Sequence, residues 1–147
     1  MYRNILVAID GSPTAARALQ HAGELARALD ARLTVTSVVP NIPPYAYAAG
    51  VSVTALEREA KREVDNQLRR ALASLPGGIT VSSLVRHGDP EHEIVNALEE
   101  GDYDLIVLGS RGRGRVASTL FGSVGAAVHF HTHVPMLIVH HLEDEDG

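Results

Sequence analysis

The sequence predicts a single-domain α/β fold, a Rossmann-like open parallel sheet of five strands with helices on both faces. Segments of strand length alternate with helical patterns in the order β-α-β-α-β-α-β-α-β. Most of the strand segments are continuous apolar runs, which indicates strands buried on both faces. Strict alternation of this kind is typical of parallel sheets covered by their crossover helices. The 147 residues suit one domain with one sizeable core.

The first part of the chain predicts two strands around a helix. Residues 4–9 form an apolar run with β-branched residues at both ends, and residues 33–39 form the second strand. Between them, Ser12 can cap a helix that has Pro13 in its first position. Apolar residues then recur at three-and-four spacing as far as Leu29, which predicts one buried helix face.

Residues 40–50 contain several prolines, and we expect no regular element there. Such a segment serves either as a binding loop or lid, or as a simple connector, and both interpretations stand. Residues 54–75 predict a long helix with mixed charges on its solvated sides. Its predicted apolar side repeats every four residues, at Leu56, Ala60, Val64, Leu68 and Leu72.

The second half predicts three more strands and two more helices. The alternating pattern of residues 79–85 indicates a strand near an edge of the sheet. Asp89 and Pro90 predict the cap and the first position of a short helix. The remaining elements are a strand at residues 105–108, a helix over about 123–130 and a strand at 135–139.

Composition excludes several classes of protein. The net charge of −5 argues against nucleic-acid binding. The absence of cysteine excludes disulfides and thiolate metal sites. No apolar run approaches the roughly 18 residues of a membrane span, so we expect a cytoplasmic protein without membrane association. We assign residues 1–141 to the domain, and residues 142–147 to an acidic tail that we expect to be disordered.

A glycine-rich stretch follows the fourth strand. Glycines at positions 109, 112 and 114 alternate with arginines, and the stretch closes on Gly122 and Ser123 before a helical pattern. Glycines let backbone N–H groups approach an anion, and a helix N-terminus directs free N–H groups at it. If the strand order is 3-2-1-4-5, the loops at Asp10 and Gly109 face one crevice at the switch point of the sheet. The stretch therefore predicts a phosphate site.

Two common phosphate motifs do not fit. A P-loop needs Gly-Lys followed by Ser or Thr, and here Gly114 is followed by Arg115 and Val116. The segment from Gly112 to Ala117 formally matches the dinucleotide fingerprint. However, the required acidic residue would fall near the end of the fifth strand, where histidines stand.

The spacing Gly109, two residues, Gly112, nine residues, Gly122-Ser123 resembles the ATP-binding branch of the universal stress protein family. Four further segments carry the same resemblance, in the same order as in the family. They are residues 5–12, 87–90, 104–112 and 134–139. The resemblance covers the whole chain except the tail.

The resemblance implies the strand order 3-2-1-4-5 and an adenine nucleotide in the crevice, ATP with Mg²⁺ or Mn²⁺ bound through its phosphates. It also implies a homodimer formed through the last strand, Met136–Val139. Ribose and adenine contacts are implied at Ala8, Ile9, Asp10 and Val38. Contacts that wrap the ribose and the phosphates are implied at Gly109, Ser110, Arg111, Gly112, Arg113, Gly114 and Arg115. Further phosphate contacts are implied at Gly122, Ser123 and Val124.

Histidines at positions 129, 131 and 133 alternate before the last strand. A metal site is one interpretation, because imidazole is a common ligand. The preferred interpretation is that the histidines stand at a helix C-terminus, where the helix dipole favours them. We expect His133 to lie beyond the helix end.

The sequence contains no recognisable pair of nucleophile and general base. The three serines near the predicted site are better explained as helix caps or phosphate contacts than as nucleophiles; they are Ser12, Ser110 and Ser123. We therefore expect a nucleotide-binding stress or regulatory module with slow or no turnover. Two alternatives remain open: a slow ATPase or nucleotidyl-transfer enzyme, and a dimeric scaffold for a non-nucleotide ligand.

Overall fold

The computed structural model describes residues 1–110 and 122–140, and within them the predicted α/β fold is confirmed. Its strands are β1 (Asn4–Ala8), β2 (Arg32–Val39), β3 (Thr80–His87), β4 (Leu105–Gly109) and β5 (Met136–Val139). They form one parallel sheet in the order β3-β2-β1-β4-β5, as expected. The strand predicted near an edge, β3, is an edge strand. The predicted tail, residues 142–147, lies outside the described residues.

Helices cover both faces of this sheet. They are α1 (Pro13–Leu29), α2 (Pro44–Ala48), α3 (Val53–Ser74), α4 (Pro90–Glu100) and α5 (Gly122–His131). One core cluster joins α1 and α3 to one face of the sheet, and a second joins α4 and α5 to the other. Most of the largest fully buried side chains, such as Ile5, Leu6 and Ile106, lie on β1, β2 and β4. We refer to the two sides as the α1–α3 face and the α4–α5 face.

Both predicted helix caps are confirmed. The Ser12 hydroxyl accepts a hydrogen bond from the backbone N–H of Ala15 at 3.2 Å. The Asp89 carboxylate accepts one from the backbone N–H of His92 at 3.3 Å. A proline follows each cap in the first turn, where its missing N–H would have had no partner within the helix. These caps fix where α1 and α4 begin, and so where the loops from β1 and β3 end.

The prediction that residues 40–50 contain no regular element is wrong. Pro43 caps the short helix α2, and Pro44 occupies its first turn. Proline breaks a helix only in the interior, because there it removes a needed N–H and clashes with the preceding turn. The backbone N–H of Ala49 donates to the carbonyl of Tyr45 at 3.0 Å. Ala46 is buried against the rest of the protein.

The apolar face predicted for α3 is correct only in part, because Leu72 is exposed. A helix turns by about 100° per residue, so a repeat of four residues drifts by about 40° at each step. Over the four steps from Leu56 to Leu72 the drift reaches about 160°, which carries Leu72 to the solvent side. Ala71 takes its place in the core.

Arg86 ties the end of β3 to α4. Its Nε donates to Glu93 Oε1 at 3.1 Å, and its Nη1 donates to Glu100 Oε2 at 2.7 Å. The hydrogen bond from Arg86, and then its charge, lower the pKa of Glu100 below the ordinary value of 4.5. A carboxylate whose pKa is lower in the folded state stabilises the fold above its unfolded pKa. This stabilisation disappears as the pH falls through the folded pKa.

We therefore expect Arg86→Gln to lower the free energy of unfolding at pH 7, by an amount that shrinks as the pH falls below 4.5. Urea unfolding of both proteins at a series of pH values measures this difference. Arg32→Gln is the control, because Arg32 is exposed and makes no ion pair with a described residue. A difference between wild type and Arg86→Gln that stays constant down to acid pH would contradict the assignment.

Candidate functional site

The site predicted from the sequence lies at the carboxyl ends of β1 and β4, which are neighbours in the sheet. Their register pairs Ile5 with Leu105 and Val7 with Val107. From β1 the chain crosses to α1 on the α1–α3 face, whereas the helix between β4 and β5 lies on the α4–α5 face. Helices α1 and α5 therefore lie on opposite faces of the sheet. This arrangement marks the switch point of the sheet, where a ligand-binding crevice is expected.

Asp10 lies on the β1 side of this crevice, held by a tight turn. The backbone N–H of Ile9 donates to the carbonyl of Thr36 at 2.9 Å, which ties the end of β1 to β2. One oxygen of the half-buried Asp10 carboxylate accepts from the backbone N–H of Ser12 at 2.9 Å. Gly11, with φ of 84°, provides the left-handed turn between them. The turn fixes the direction of a carboxylate that is able to accept hydrogen bonds from hydroxyl groups of a ligand.

Three of the predicted residues contribute half-buried apolar surface on the same face of the sheet. Ala8 at the end of β1, Val38 near the end of β2 and Val124 in the first turn of α5 all pack against the core of the α4–α5 face. Ile9 differs, because its side chain belongs to the opposite core. On the α4–α5 face, Ile9 is therefore able to contact a ligand only through its backbone. Half-buried aliphatic groups of this kind suit a flat apolar ring.

Gly109 lies at the end of β4 against the start of α1. A Cβ atom placed on Gly109 would lie 2.8 Å from Thr14 Cγ2 and 3.0 Å from the carbonyl carbon of Thr14. Glycine is therefore required for this close approach of strand and helix. Sequence reasoning assigned Gly109 to phosphate binding and did not identify Thr14, which is 3% exposed. No local pattern signals Thr14, because the contact joins distant parts of the chain.

Ser110, the next residue, is tied to β5. Its backbone N–H donates to the carbonyl of Val139 at 2.8 Å, and the residue is buried. The chain therefore leaves the sheet from a fixed point at the edge of the crevice. The predicted rim that follows, comprising Arg111, Gly112, Arg113, Gly114 and Arg115, lies outside the described residues.

The chain returns at the N-terminus of α5. Gly122 has φ of 71°, a left-handed conformation that favours glycine. Ser123 is exposed in the first turn, and that turn contains no acidic residue. The first N–H groups of α5 have no partner within the helix, and no carboxylate of the helix itself compensates them or the positive end of the dipole. An exposed helix N-terminus with a hydroxyl is able to bind an anion such as phosphate.

The histidine run ends α5, away from this terminus. His129 and His131 stand in the last turn, and His133 lies beyond the helix end, as predicted. Cationic or polar side chains are favoured there by the helix dipole. Within residues 1–110 and 122–140, no three His, Cys, Asp or Glu side chains are grouped so that they could hold a metal ion.

Comparison with known proteins agrees with this architecture. The sequence model of the universal stress protein family matches residues 1–140. The chain belongs to the universal stress protein family. Among its curated relatives, the universal stress protein YxiE of Bacillus subtilis is 31% identical over 150 residues, covering 95% of this chain and 99% of YxiE. The predicted membership of the universal stress protein family is confirmed.

Solved structures show the same fold. The structure of the hypothetical protein MJ0577 superposes with a TM-score of 0.82 at 26% identity, covering 97% of this chain and 99% of MJ0577. A universal stress protein crystallised in complex with cAMP has a TM-score of 0.61 at 29% identity, covering 95% of this chain and 97% of its own. None of the described helices is both long and apolar enough to cross a membrane.

Proposed function

We propose that this universal stress protein family member binds an adenine nucleotide, with ATP as the preferred ligand, in the crevice between β1 and β4. The observation that carries the proposal is the placement of Asp10 and the N-terminus of α5 on the loops that open this crevice. A carboxylate suits the ribose hydroxyls, and a helix N-terminus suits the phosphates. The complex of a relative with cAMP supports the adenine nucleotide as the class of ligand.

Each predicted contact has a role in this proposal. Asp10 and the backbone of Ala8 and Ile9 hold the ribose and the adenine edge, and Val38 packs against the base. Gly122, Ser123 and Val124 present N–H groups and a hydroxyl to the phosphates. The remaining phosphate contacts come from Gly109, Ser110, Arg111, Gly112, Arg113, Gly114 and Arg115. Mg²⁺ or Mn²⁺ is carried by the phosphates of the nucleotide, as hard cations prefer oxygen ligands.

We further propose a cytoplasmic homodimer formed through β5. This strand is an edge of the sheet. Met136, Leu137 and Ile138 are half-buried there, so part of each apolar side chain remains in contact with solvent. An apolar edge strand is a surface that pairs readily with another strand. Sedimentation over a range of protein concentrations measures the association, and a monomer at every concentration would overturn this part of the proposal.

Identifying the ligand is the decisive experiment. We expect the purified protein, once denatured, to release an adenine nucleotide that mass spectrometry identifies. Stripped protein should bind added ATP by calorimetry, more weakly when EDTA removes divalent cations. AMP and cAMP, tested in parallel, measure the contribution of the terminal phosphates. A protein that releases no nucleotide and does not bind ATP would refute the proposal and leave the scaffold for a non-nucleotide ligand.

The same preparation tests turnover. Incubation with ATP should leave the nucleotide unchanged or produce ADP only slowly. Steady formation of ADP or AMP that Asp10→Ala abolishes would instead support the slow ATPase or nucleotidyl-transfer alternative. The two results are separable, because binding is measured by calorimetry and turnover by product formation.

A further inference from the structure

A groove of about 220 Å³ lies between α4 and α5 on the outer surface of the α4–α5 face. On α4, Glu91, Val95 and Glu99 occupy successive turns along it, and on α5 it is lined by Ala127 and His131. None of these residues belongs to the proposed nucleotide site. Val95 is 9% exposed and forms a buried apolar floor midway between the two glutamates. Because a helix rises 1.5 Å per residue, the two glutamates stand roughly 12 Å apart along α4.

Two carboxylates along the groove have no ion-pair partner among residues 1–110 and 122–140. Other acidic residues of this region have partners: Glu93 and Glu100 bind Arg86, and Asp89 contacts His92. By contrast, neither Glu91 nor Glu99 forms an ion pair with any residue that the structure describes. The structure therefore places two unpaired carboxylates at the two ends of an apolar floor.

Helix stability accounts for only one of these carboxylates. Glu91 stands in the first turn of α4, where the helix dipole favours a negative charge. Glu99 stands in the last turn, which contains no basic residue, so its charge opposes the dipole. Both α4 and α5 connect parallel strands and run in the same direction, so both C-termini add partial negative charge near Glu99. On α5 the histidines of the last turn, His131 among them, offset this charge in part, whereas α4 provides no basic residue of its own. A cation near Glu99 is therefore favoured.

We propose that the groove is the docking site for a basic amphipathic helix of a partner protein. Two arginines of that helix, about two turns apart, pair with Glu91 and Glu99, and an apolar side chain between them rests on Val95 and Ala127. Amphipathic helices bind in grooves between helices through anchors at this spacing. Complementary charges at the ends of the groove set the position and direction of the bound helix.

The probe is an alanine-based helical peptide with Arg, Leu and Arg at positions i, i+4 and i+7, which fall on one face of the helix. We expect it to bind the full-length protein with a dissociation constant that rises with salt concentration, because the contacts are ionic. Amide chemical shifts of Ala127 and His131 should move, and saturating ATP should leave the affinity unchanged.

The double variant Glu91→Gln/Glu99→Gln should bind the peptide about tenfold more weakly, since two exposed ion pairs are lost. Its control is Glu24→Gln/Glu59→Gln, which removes two exposed helical glutamates outside the groove and should bind as the wild type does. A peptide with serine in place of leucine should also bind more weakly, because it leaves the apolar floor uncovered.

Five outcomes would overturn the proposal. The first four are absence of peptide binding, equal binding by the Glu91→Gln/Glu99→Gln variant, full displacement of the peptide by ATP, and equal affinity for a peptide with its arginines on opposite faces. Self-association that the same double variant abolishes would also refute it, because a second copy would then be the occupant. The experiment is independent of the proposed nucleotide, since the peptide is tested with and without ATP.

Discussion

Replacing Gly109 by alanine is expected to lower the free energy of unfolding by about 1–3 kcal/mol, the usual cost of overpacking a tight contact. The added Cβ would stand 2.8 Å from Thr14 Cγ2 and 3.0 Å from the carbonyl carbon of Thr14. The side-chain methyl is able to move, but the backbone of the first turn of α1 is not free to do so without disturbing its cap. Urea unfolding of both proteins measures the change.

A double-mutant cycle isolates the contact. Thr14→Ser removes the methyl group nearest to the new Cβ, so it should recover part of the stability lost in Gly109→Ala. Recovery should be incomplete, because the carbonyl carbon and Cβ of Thr14 remain within 3.1 Å of the new atom. Gly77→Ala is the matched control: a Cβ there has no heavy-atom contact within 4 Å, and we expect little loss of stability.

Gly109→Ala as stable as Gly77→Ala would show that strand and helix separate easily, and it would contradict this role for Gly109. The expected result has a consequence for the glycine spacing that indicated the family. The first glycine of this spacing, Gly109, is then required by the packing of β4 against α1. This requirement is independent of any contact between its backbone and a ligand. A variant at Gly109 that loses nucleotide binding would therefore not by itself identify a phosphate contact.

The fold was predictable because its signals are local and agree with one another. Continuous apolar runs such as residues 4–9 indicate buried parallel strands, and capping pairs such as Ser12-Pro13 mark where helices begin. The crevice followed from these elements and from the strand order, because connections to opposite faces must diverge at the switch point. Val38 and Val124 lie on the same side of the sheet, and their contact with a nucleotide stays a prediction.

Features that depend on distant contacts or on exact rotation were not predictable. The repeat on α3 predicted Leu72 to be in the core. The apolar residues rotate gradually around the helix, and only the packing of α3 on the sheet determines which of them is exposed. The close approach of Thr14 to Gly109 depends on how α1 crosses β4. The groove beside Val95 arises from the spacing of two helices, and each helix alone shows an ordinary exposed face. The short α2 could have been found, since proline at a first turn is compatible with a helix.

Ser123→Glu is expected to weaken ATP binding by about 100-fold or more while leaving the fold intact. The new carboxylate would lie at the N-terminus of α5, where the proposal places the phosphates. Two like charges about 4 Å apart near a protein surface repel by roughly 4 kcal/mol, more than the 2.8 kcal/mol or so that a 100-fold change requires. The variant also lacks the hydroxyl that the proposal directs at the phosphates.

This substitution separates binding from folding better than one at Gly122. The positive φ of Gly122 would strain any residue with a Cβ, so valine there would disturb the helix start as well as the site. A glutamate in the first turn of α5, which has no acid of its own, should instead stabilise the unliganded protein by about 0.3–1 kcal/mol through the helix dipole. Loss of binding with equal or greater stability would therefore reflect a change at the phosphate position and not a loss of the fold.

Thr54→Glu provides the matched control for this prediction. Thr54 is exposed in the first turn of α3, which also contains no acidic residue. The variant should gain similar stability from the dipole and bind ATP as the wild type does. Thermal unfolding with and without ATP measures both effects, because a ligand that binds only the folded state raises the midpoint. If Ser123→Glu keeps the ATP-dependent rise that Thr54→Glu shows, the phosphates do not lie at α5, and the nucleotide must be placed elsewhere in the crevice.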